Sequence, residues 1–325
     1  MPEAAVKVGS RASALARWQT EHVVAELEAA WPGLQCERVL IRTLGDRVTD
    51  VPLPRIGDRG LFTKEIEDGL RSATIDIAVH SLKDLPTEMP PGLALGAVLV
   101  REDPRDVLVT RDGSTLATLP QGARVGTSSI RRRAQLLALR PDLQMLDIRG
   151  NVQTRLEKVA SGAYDASMLA LAGLRRLGLE ASATEVFGPA VMLPAPGQGA
   201  LGVQVRSDDR RVLDLVARLD HAPTRLATAC ERGVLGALEG GCQAPVGTWT
   251  AWTGSTLRVD AVVASFDGRR AVRASEARIV EREADALALA HRVAATLRDA
   301  GAATIIADCR AAVAGLPGAD AGASA

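Results

Sequence analysis

Through the first two hundred residues, short apolar runs alternate with stretches in which apolar residues return every three or four positions. AVKVGS predicts a strand. SALARWQTEHVVAELEAA carries helical spacing and stops at Pro32-Gly33. CERVLIRT predicts a second strand, and the polar stretch LGDRVTDVPLPRIGDRG is too rich in Gly, Asp and Pro for regular structure; its length marks it as a functional or mobile loop. TKEIEDGLRSA follows as a helix and TIDIAVHSL as a buried strand. The rhythm restarts after Pro104, with DVLVT, ARVGTSS, LQMLDI and DASMLAL as strands. Between and after them lie the helices SSIRRRAQLLALR, NVQTRLEKVASG and LAGLRRLG.

Such alternation implies an α/β protein with parallel sheets covered on both faces, here as two doubly wound domains. A ligand cleft is then expected at the C-terminal ends of the strands. From about Thr248 the pattern changes: TWTAWTGSTLRVDAVVASFDGRRAVRASEARIV reads as antiparallel strands joined by Thr-Gly and Asp-Gly turns, with the helix EADALALAHRVAATLRDAG behind them. The third domain is therefore a small C-terminal α+β unit. The expected division is residues 1–100 with 197–218, residues 101–196, and residues 219–313, leaving 314–325 as a disordered tail. The stretch AAVAGLPGADAGASA, built of small residues, shares that expectation of disorder.

Composition narrows the function. The 325 residues are 47% hydrophobic and 24% charged, as in ordinary globular proteins, but only 2% aromatic. That scarcity argues against nucleic-acid binding by base stacking. MPEAAVKVGSRASALARWQ shows no signal-peptide pattern, and no run approaches the ~20 apolar residues of a membrane span. Cys36, Cys230, Cys242 and Cys309 are scattered, and the four histidines have no ligand spacing, so neither disulfides nor a metal site is expected. These features point to a cytoplasmic chain.

Net charge is zero but unevenly spread: between Gln121 and Arg176 stand ten Lys+Arg against four acids. The surplus suggests an anionic ligand, or a solvated basic face. Gly9-Ser10-Arg11-Ala12-Ser13 and Gly126-Thr127-Ser128-Ser129-Ile130-Arg131-Arg132 each sit where a strand gives way to a helix, a position suited either to binding an anion or to ordinary N-capping. Arg149 and Arg155 add to the set. DIAVHSLKDLP sends a buried strand straight into Lys83-Asp84, at the cleft end of its sheet, where an ionised Asp84 can stabilise a developing cation or a protonated one can deliver a proton. A surface turn with a local charge pair is the alternative. PAPGQGALG is glycine-rich but enters a strand, which excludes a dinucleotide loop and suggests a crossing between domains.

Taken together, VGSRASALA, GDRGLFTKEIE, DIAVHSLKDLP, REDPRDVLV, VGTSSIRRRAQL, IRGNVQTRL, LPAPGQGALG and LEGGCQAPVG, in this order over residues 6–250, resemble the porphobilinogen deaminase (hydroxymethylbilane synthase) family. The resemblance implies two domains like the halves of a periplasmic binding protein and a third bearing a cysteine loop. It implies a monomeric transferase of haem and porphyrin biosynthesis that acts on porphobilinogen, with no nucleic-acid or membrane partner. Cys242 would hold a dipyrromethane cofactor by a thioether, and four porphobilinogen units would be condensed on it with loss of ammonia before water releases the linear tetrapyrrole. Asp84 would be the catalytic carboxylate. Arg11, Ser13, Lys83, Thr127, Ser129, Arg131, Arg132, Arg149, Arg155 and Arg176 fall on positions for the acetate and propionate groups of the pyrroles, with Arg133 a weaker candidate. Arg55, Arg59 and Phe62 are possible loop contacts, although many relatives carry lysine where Arg59 stands, and a planar fork binds differently from an ammonium. Two other readings compete: a two-lobed anion sensor, and a redox sensor built on Cys242.

Overall fold

The computed structural model describes residues 5–43, 63–238 and 244–315. The loop read at 44–60, with Arg55, Arg59 and Phe62, lies outside the described residues, as do Cys242 and residues 316–325.

The chain opens with β1 (Val6–Arg11), α1 (Ala14–Ala30), β2 (Cys36–Ile41), α2 (Lys64–Arg71), β3 (Ile77–Ser81) and β4 (Leu93–Val98). It then forms β5 (Asp106–Thr110), β6 (Arg124–Gly126), α3 (Ile130–Leu139), β7 (Gln144–Leu146), α4 (Val152–Ala160), β8 (Ala166–Ala170), α5 (Leu171–Arg176) and β9 (Glu185–Val186). β10 (Leu201–Arg206) and α6 (Arg210–Val216) follow. The C-terminal part is α7 (Ala222–Ala237), β11 (Val246–Thr253), β12 (Thr256–Ala264), β13 (Ala271–Ile279), α8 (Glu283–Asp299) and α9 (Ala302–Ala314).

Hydroxyl and amide caps start the helices where the apolar pattern does. Ser13 accepts from the Ala16 N–H at 3.3 Å to open α1, Ser129 from Arg132 at 3.4 Å to open α3, and Asn151 from Thr154 at 3.0 Å to open α4. α1 buries Val23, Val24 and Leu27 against the first sheet, each worth ~1.5–3 kcal/mol. α2 covers the opposite face with Ile66 and Leu70.

The first sheet has the order β2-β1-β3-β10-β4 and the second β7-β6-β8-β5-β9. Both are covered on two faces, as expected, but neither is wholly parallel. β10 runs antiparallel between β3 and β4, and β5 runs antiparallel to β8 and β9. The chain path explains the reversal. It leaves the first sheet at the end of β4, builds the second, and re-enters at the same edge, so Leu201 of β10 lies opposite Ser81, the last residue of β3. Likewise Asp106, the first residue of β5, lies opposite Ala170, the last of β8. Both crossings thus run along the C-terminal strand ends, where the two lobes face each other.

The third part is an antiparallel sheet β11-β12-β13 packed on α7, α8 and α9. Its first turn is Gly254-Ser255, with Gly254 at φ +57°. The expectation of disorder is corrected for residues 311–314: α9 continues through Ala314, because Ile305, Cys309 and Val313 recur at helical spacing and are buried. No helix among the described residues is long and apolar enough to cross a membrane.

The turn after β12 touches α3 of the second lobe. Gly268, at φ +74°, lies so close to α3 that an added Cβ would fall 2.6 Å from the Leu137 carbonyl carbon and 2.8 Å from the Ala134 oxygen. Gly268→Ala is therefore expected to lower stability by about 2 kcal/mol or more, through strain and overpacking against backbone. Gly254→Ala, which meets nothing within 4 Å, should cost only about 1 kcal/mol, all of it strain; urea unfolding of the two variants reads the difference.

Candidate functional site

The residues singled out in the sequence gather at the C-terminal strand ends. Arg11 ends β1, Lys83 and Asp84 follow β3, Thr127 and Ser129 follow β6, Arg149 lies beyond β7, and α5, which carries Arg176, follows β8. Strand direction puts them there, since each parallel strand delivers its outgoing loop to the same edge.

At the centre is a buried carboxylate that the sequence reading passed over. Asp106 is fully buried. Its Oδ2 accepts from Arg131 Nη1 at 2.5 Å, and its Oδ1 accepts from Arg132 Nε and Nη2 at 3.0 and 2.7 Å and from Gln198 Nε2 at 2.9 Å. Burial alone would raise the Asp106 carboxyl, but the charges of Arg131 and Arg132, with the hydrogen bonds of Arg131 and Gln198, outweigh it and hold it well below the usual carboxylate range. Arg131 also donates to Leu193 O at 2.8 Å and Arg132 to Met168 O at 2.9 Å. These arginines are thus aimed by the protein itself, and their remaining N–H groups are what a ligand can use.

Gln198 carries the connection to the first lobe: its Oε1 accepts from Lys83 Nζ at 3.0 Å. Lys83 therefore hydrogen-bonds to the crossing segment that leads into β10, while the charge of its neighbour Asp84 also acts on it. Burial, then the charge of Arg132, pull the Lys83 ammonium down to about 8 despite the pull of Asp84 and Asp106. Asp84 stands exposed after the turn Leu82–Asp84, and no described residue donates a hydrogen bond to its carboxylate.

Around this core the cations crowd. Burial, followed by the charge of Arg132, brings Arg155 down to about 10, and burial does the same to Arg176. Arg155 donates to Gly150 O at 3.0 Å, while Arg176 donates to Gly199 O at 2.6 Å and lies 5.8 Å from the Trp18 ring of α1. Burial also lowers Arg149. Arg11 lies near His80, whose imidazole burial pushes down to about 4, so that its neutral ring donates from Nε2 to Gln204 Oε1 at 3.1 Å. Ser13 and Ser129 serve as N-caps, and Thr127 Oγ1 accepts from Ser129 N at 3.2 Å. Those local roles leave each hydroxyl proton available to an anion. Arg133 is not brought to the cluster. It stacks on Phe266 at 4.1 Å and donates to Phe266 O and Met145 O.

A second buried acid ties the third domain to the crossing. Glu231 of α7 accepts from Arg101 at 2.7 and 2.8 Å, from Gly197 N at 2.8 Å and from Thr250 Oγ1 at 2.7 Å. Of these anchors, Gln198 has a local signal, a polar residue in a glycine-rich run, whereas Asp106 follows a charged stretch and Glu231 stands beside Arg232.

Residues 6–214 match the family described as porphobilinogen deaminase, dipyromethane cofactor binding domain, and residues 225–299 match porphobilinogen deaminase, C-terminal domain. Among curated relatives, the porphobilinogen deaminase of Moorella thermoacetica is 53% identical over 82% of this chain and 86% of its own length. Those of Syntrophobacter fumaroxidans and Desulforudis audaxviator are 47% and 51% identical over 94% of this chain and 98% of theirs. Among solved structures, the periplasmic VFT2 domain of Bordetella pertussis BvgS covers 66% of this chain and 86% of that one, at 17% identity and a TM-score of 0.40.

Asp106→Asn should destabilise the fold by about 3–5 kcal/mol, because it leaves two buried guanidiniums short of their countercharge. The folded-state carboxyl is depressed, so its stabilisation is present above the ordinary carboxylate range near pH 4 and is lost as pH falls below it. Urea unfolding between pH 3 and 7 should show a shallower acid loss in the variant than in wild type.

Proposed function

The chain belongs to the porphobilinogen deaminase family, and from that premise we propose how its residues divide the work. The activity is that of a transferase, hydroxymethylbilane synthase, in tetrapyrrole biosynthesis. In each condensation the aminomethyl C–N bond of porphobilinogen breaks and ammonia leaves. A C–C bond then forms from that methylene to the free α-carbon of the preceding ring, which gives up its proton. Four condensations and one addition of water yield hydroxymethylbilane and four molecules of ammonia.

The family's dipyrromethane cofactor supplies, when bound, the acceptor end for the incoming pyrrole. The residues present fit such a polyanion: the charge of Arg132 depresses the basicity of Lys83 and, together with Arg149, that of Arg155, and carboxylates would relieve that repulsion. In our reading Arg11, Lys83, Arg131, Arg132, Arg149, Arg155 and Arg176 hold the acetate and propionate groups, with Ser13, Thr127 and Ser129 adding hydroxyl donors. Cys242 is the anchoring sulfur. Asp84 faces the reacting ring, balances positive charge on the pyrrole N–H and moves protons to the leaving amine and from the ring. We read the protein as a cytoplasmic monomer with porphobilinogen as its small-molecule partner.

One observation carries this assignment: Asp84 is an exposed carboxylate at the edge of the cationic cluster, without a hydrogen-bond partner among the described residues. The test is intact mass combined with turnover. Wild-type protein from cells that make porphobilinogen should carry an increment of two linked pyrrole units, and Cys242→Ser should lack it. Asp84→Asn should keep both fold and increment while turnover falls about 10²–10⁴-fold. Near-normal turnover in Asp84→Asn would remove that residue from its role, and an unmodified wild-type mass would remove Cys242 from its own.

A further inference from the structure

The Asp84 carboxylate is not oriented by any hydrogen bond from a described side chain, so its position depends on the backbone of residues 82–87. That backbone is held from the third domain. Arg232 of α7 is buried, and its guanidinium donates to Leu82 O at 3.1 Å, Leu85 O at 3.0 Å, Pro86 O, and Thr87 O at 3.4 Å. The acceptors bracket Asp84 on both sides. Two further bonds hold the same turn: Leu82 N to Ala200 O at 3.0 Å and Leu85 N to Leu82 O at 3.2 Å.

We infer that Arg232 is the positioning residue for Asp84, an inference that rests on the catalytic assignment of Asp84 above. Neighbouring Glu231 gives the arrangement its coherence. It accepts from Gly197 N, and Gly197 packs so closely that an added Cβ would lie 3.3 Å from Leu82 Cγ and 3.5 Å from Lys83 N. Two consecutive residues of one helix therefore fix the two loops between which Lys83 Nζ reaches Gln198 Oε1. Arginine suits the task because its planar fork can serve several carbonyls at once, whereas an ammonium on a flexible stem is a compact point donor. α7 also ends at Ala237, five residues before Cys242 in the sequence. One rigid helix thus sets the catalytic loop and leads to the anchoring cysteine.

The experiment uses the holoprotein. Arg232→Met should lower kcat about 10²-fold, as expected for displacement of a reacting group by about 1 Å, with KM within about threefold of wild type. Amide hydrogen exchange should accelerate in residues 82–87 and not in the core strand 256–264. Arg232→Lys should recover part of both effects. Wild-type kcat, unchanged exchange in 82–87, or exchange that rises equally in 256–264 would each overturn the inference. Should Arg232→Met fail to accumulate folded, Arg232→Lys is read alone: a loss of about tenfold in kcat with the same local exchange supports the role, and wild-type values refute it. Asp84→Asn, run in parallel, separates the two claims. An active Asp84→Asn defeats the catalytic assignment itself, whereas an inactive Asp84→Asn beside an active Arg232→Met defeats only the positioning role.

Discussion

The cationic cluster depends on one buried carboxylate set against two buried guanidiniums. Asp106 lies where the chain first enters the second sheet, and Arg131 and Arg132 lie in the first turn of α3. A lone charge at any of these positions would be prohibitively costly to desolvate; together they are held by a mesh of short, charge-assisted bonds. One acid cannot balance two bases, however. The triad retains a positive charge, and Lys83 and Arg155 stand close enough to feel it. The same interaction that makes the arginines tolerable in the interior also keeps the region cationic.

Gln198 extends that centre to the first lobe. A glutamine can donate and accept at once, and here its amide nitrogen serves Asp106 and Pro104 O while its oxygen takes the Lys83 ammonium. Its own backbone carbonyl accepts from Arg101, which in turn is paired to Glu231 of α7. Three parts of the molecule are joined by a continuous polar path with little slack. Arg133, freed from the cleft, does related work at the edge, stacking on Phe266 where the β12–β13 turn packs against α3.

Local chemistry was legible in the sequence and long-range pairing was not. Ser13 and Ser129 announced their helices because a capping hydroxyl acts within one turn. DIAVHSLKDLP announced a strand ending at a polar turn because a mainly apolar run is buried. The direction of β10 depended on where the chain returned after building a second sheet, which no local pattern encodes. α7 went unread because its buried face mixes Ala227, Cys230 and Val234 with Thr224, Thr228 and Glu231, blurring the apolar stripe. Asp106 went unread for a different reason: an acid at the head of an apolar strand looks like a boundary residue until its two partners are seen. The eight motifs carried the family, but the roles of Asp106, Gln198 and Glu231 required the fold.

The positive charge of this region is only partly offset by acids. Of the ten Lys+Arg that stand against four acids between Gln121 and Arg176, Arg124, Arg140 and Arg175 pair with Asp165, Asp142 and Glu102, and Arg131 and Arg132 share Asp106. Lys83 and Arg155 are instead left with depressed basicity, the signature of sites whose charged form is under strain. On the proposed assignment, a pyrrole chain bearing acetates and propionates would supply the missing negative charge. Its binding free energy would then include relief of repulsion already built into the protein, in addition to the direct bonds. A polyanion that grows by one ring at a time continually brings new carboxylates. A cationic wall spread over α3, α4, α5 and the β3 turn can meet them in succession, with Asp106 fixing the arginines at its centre.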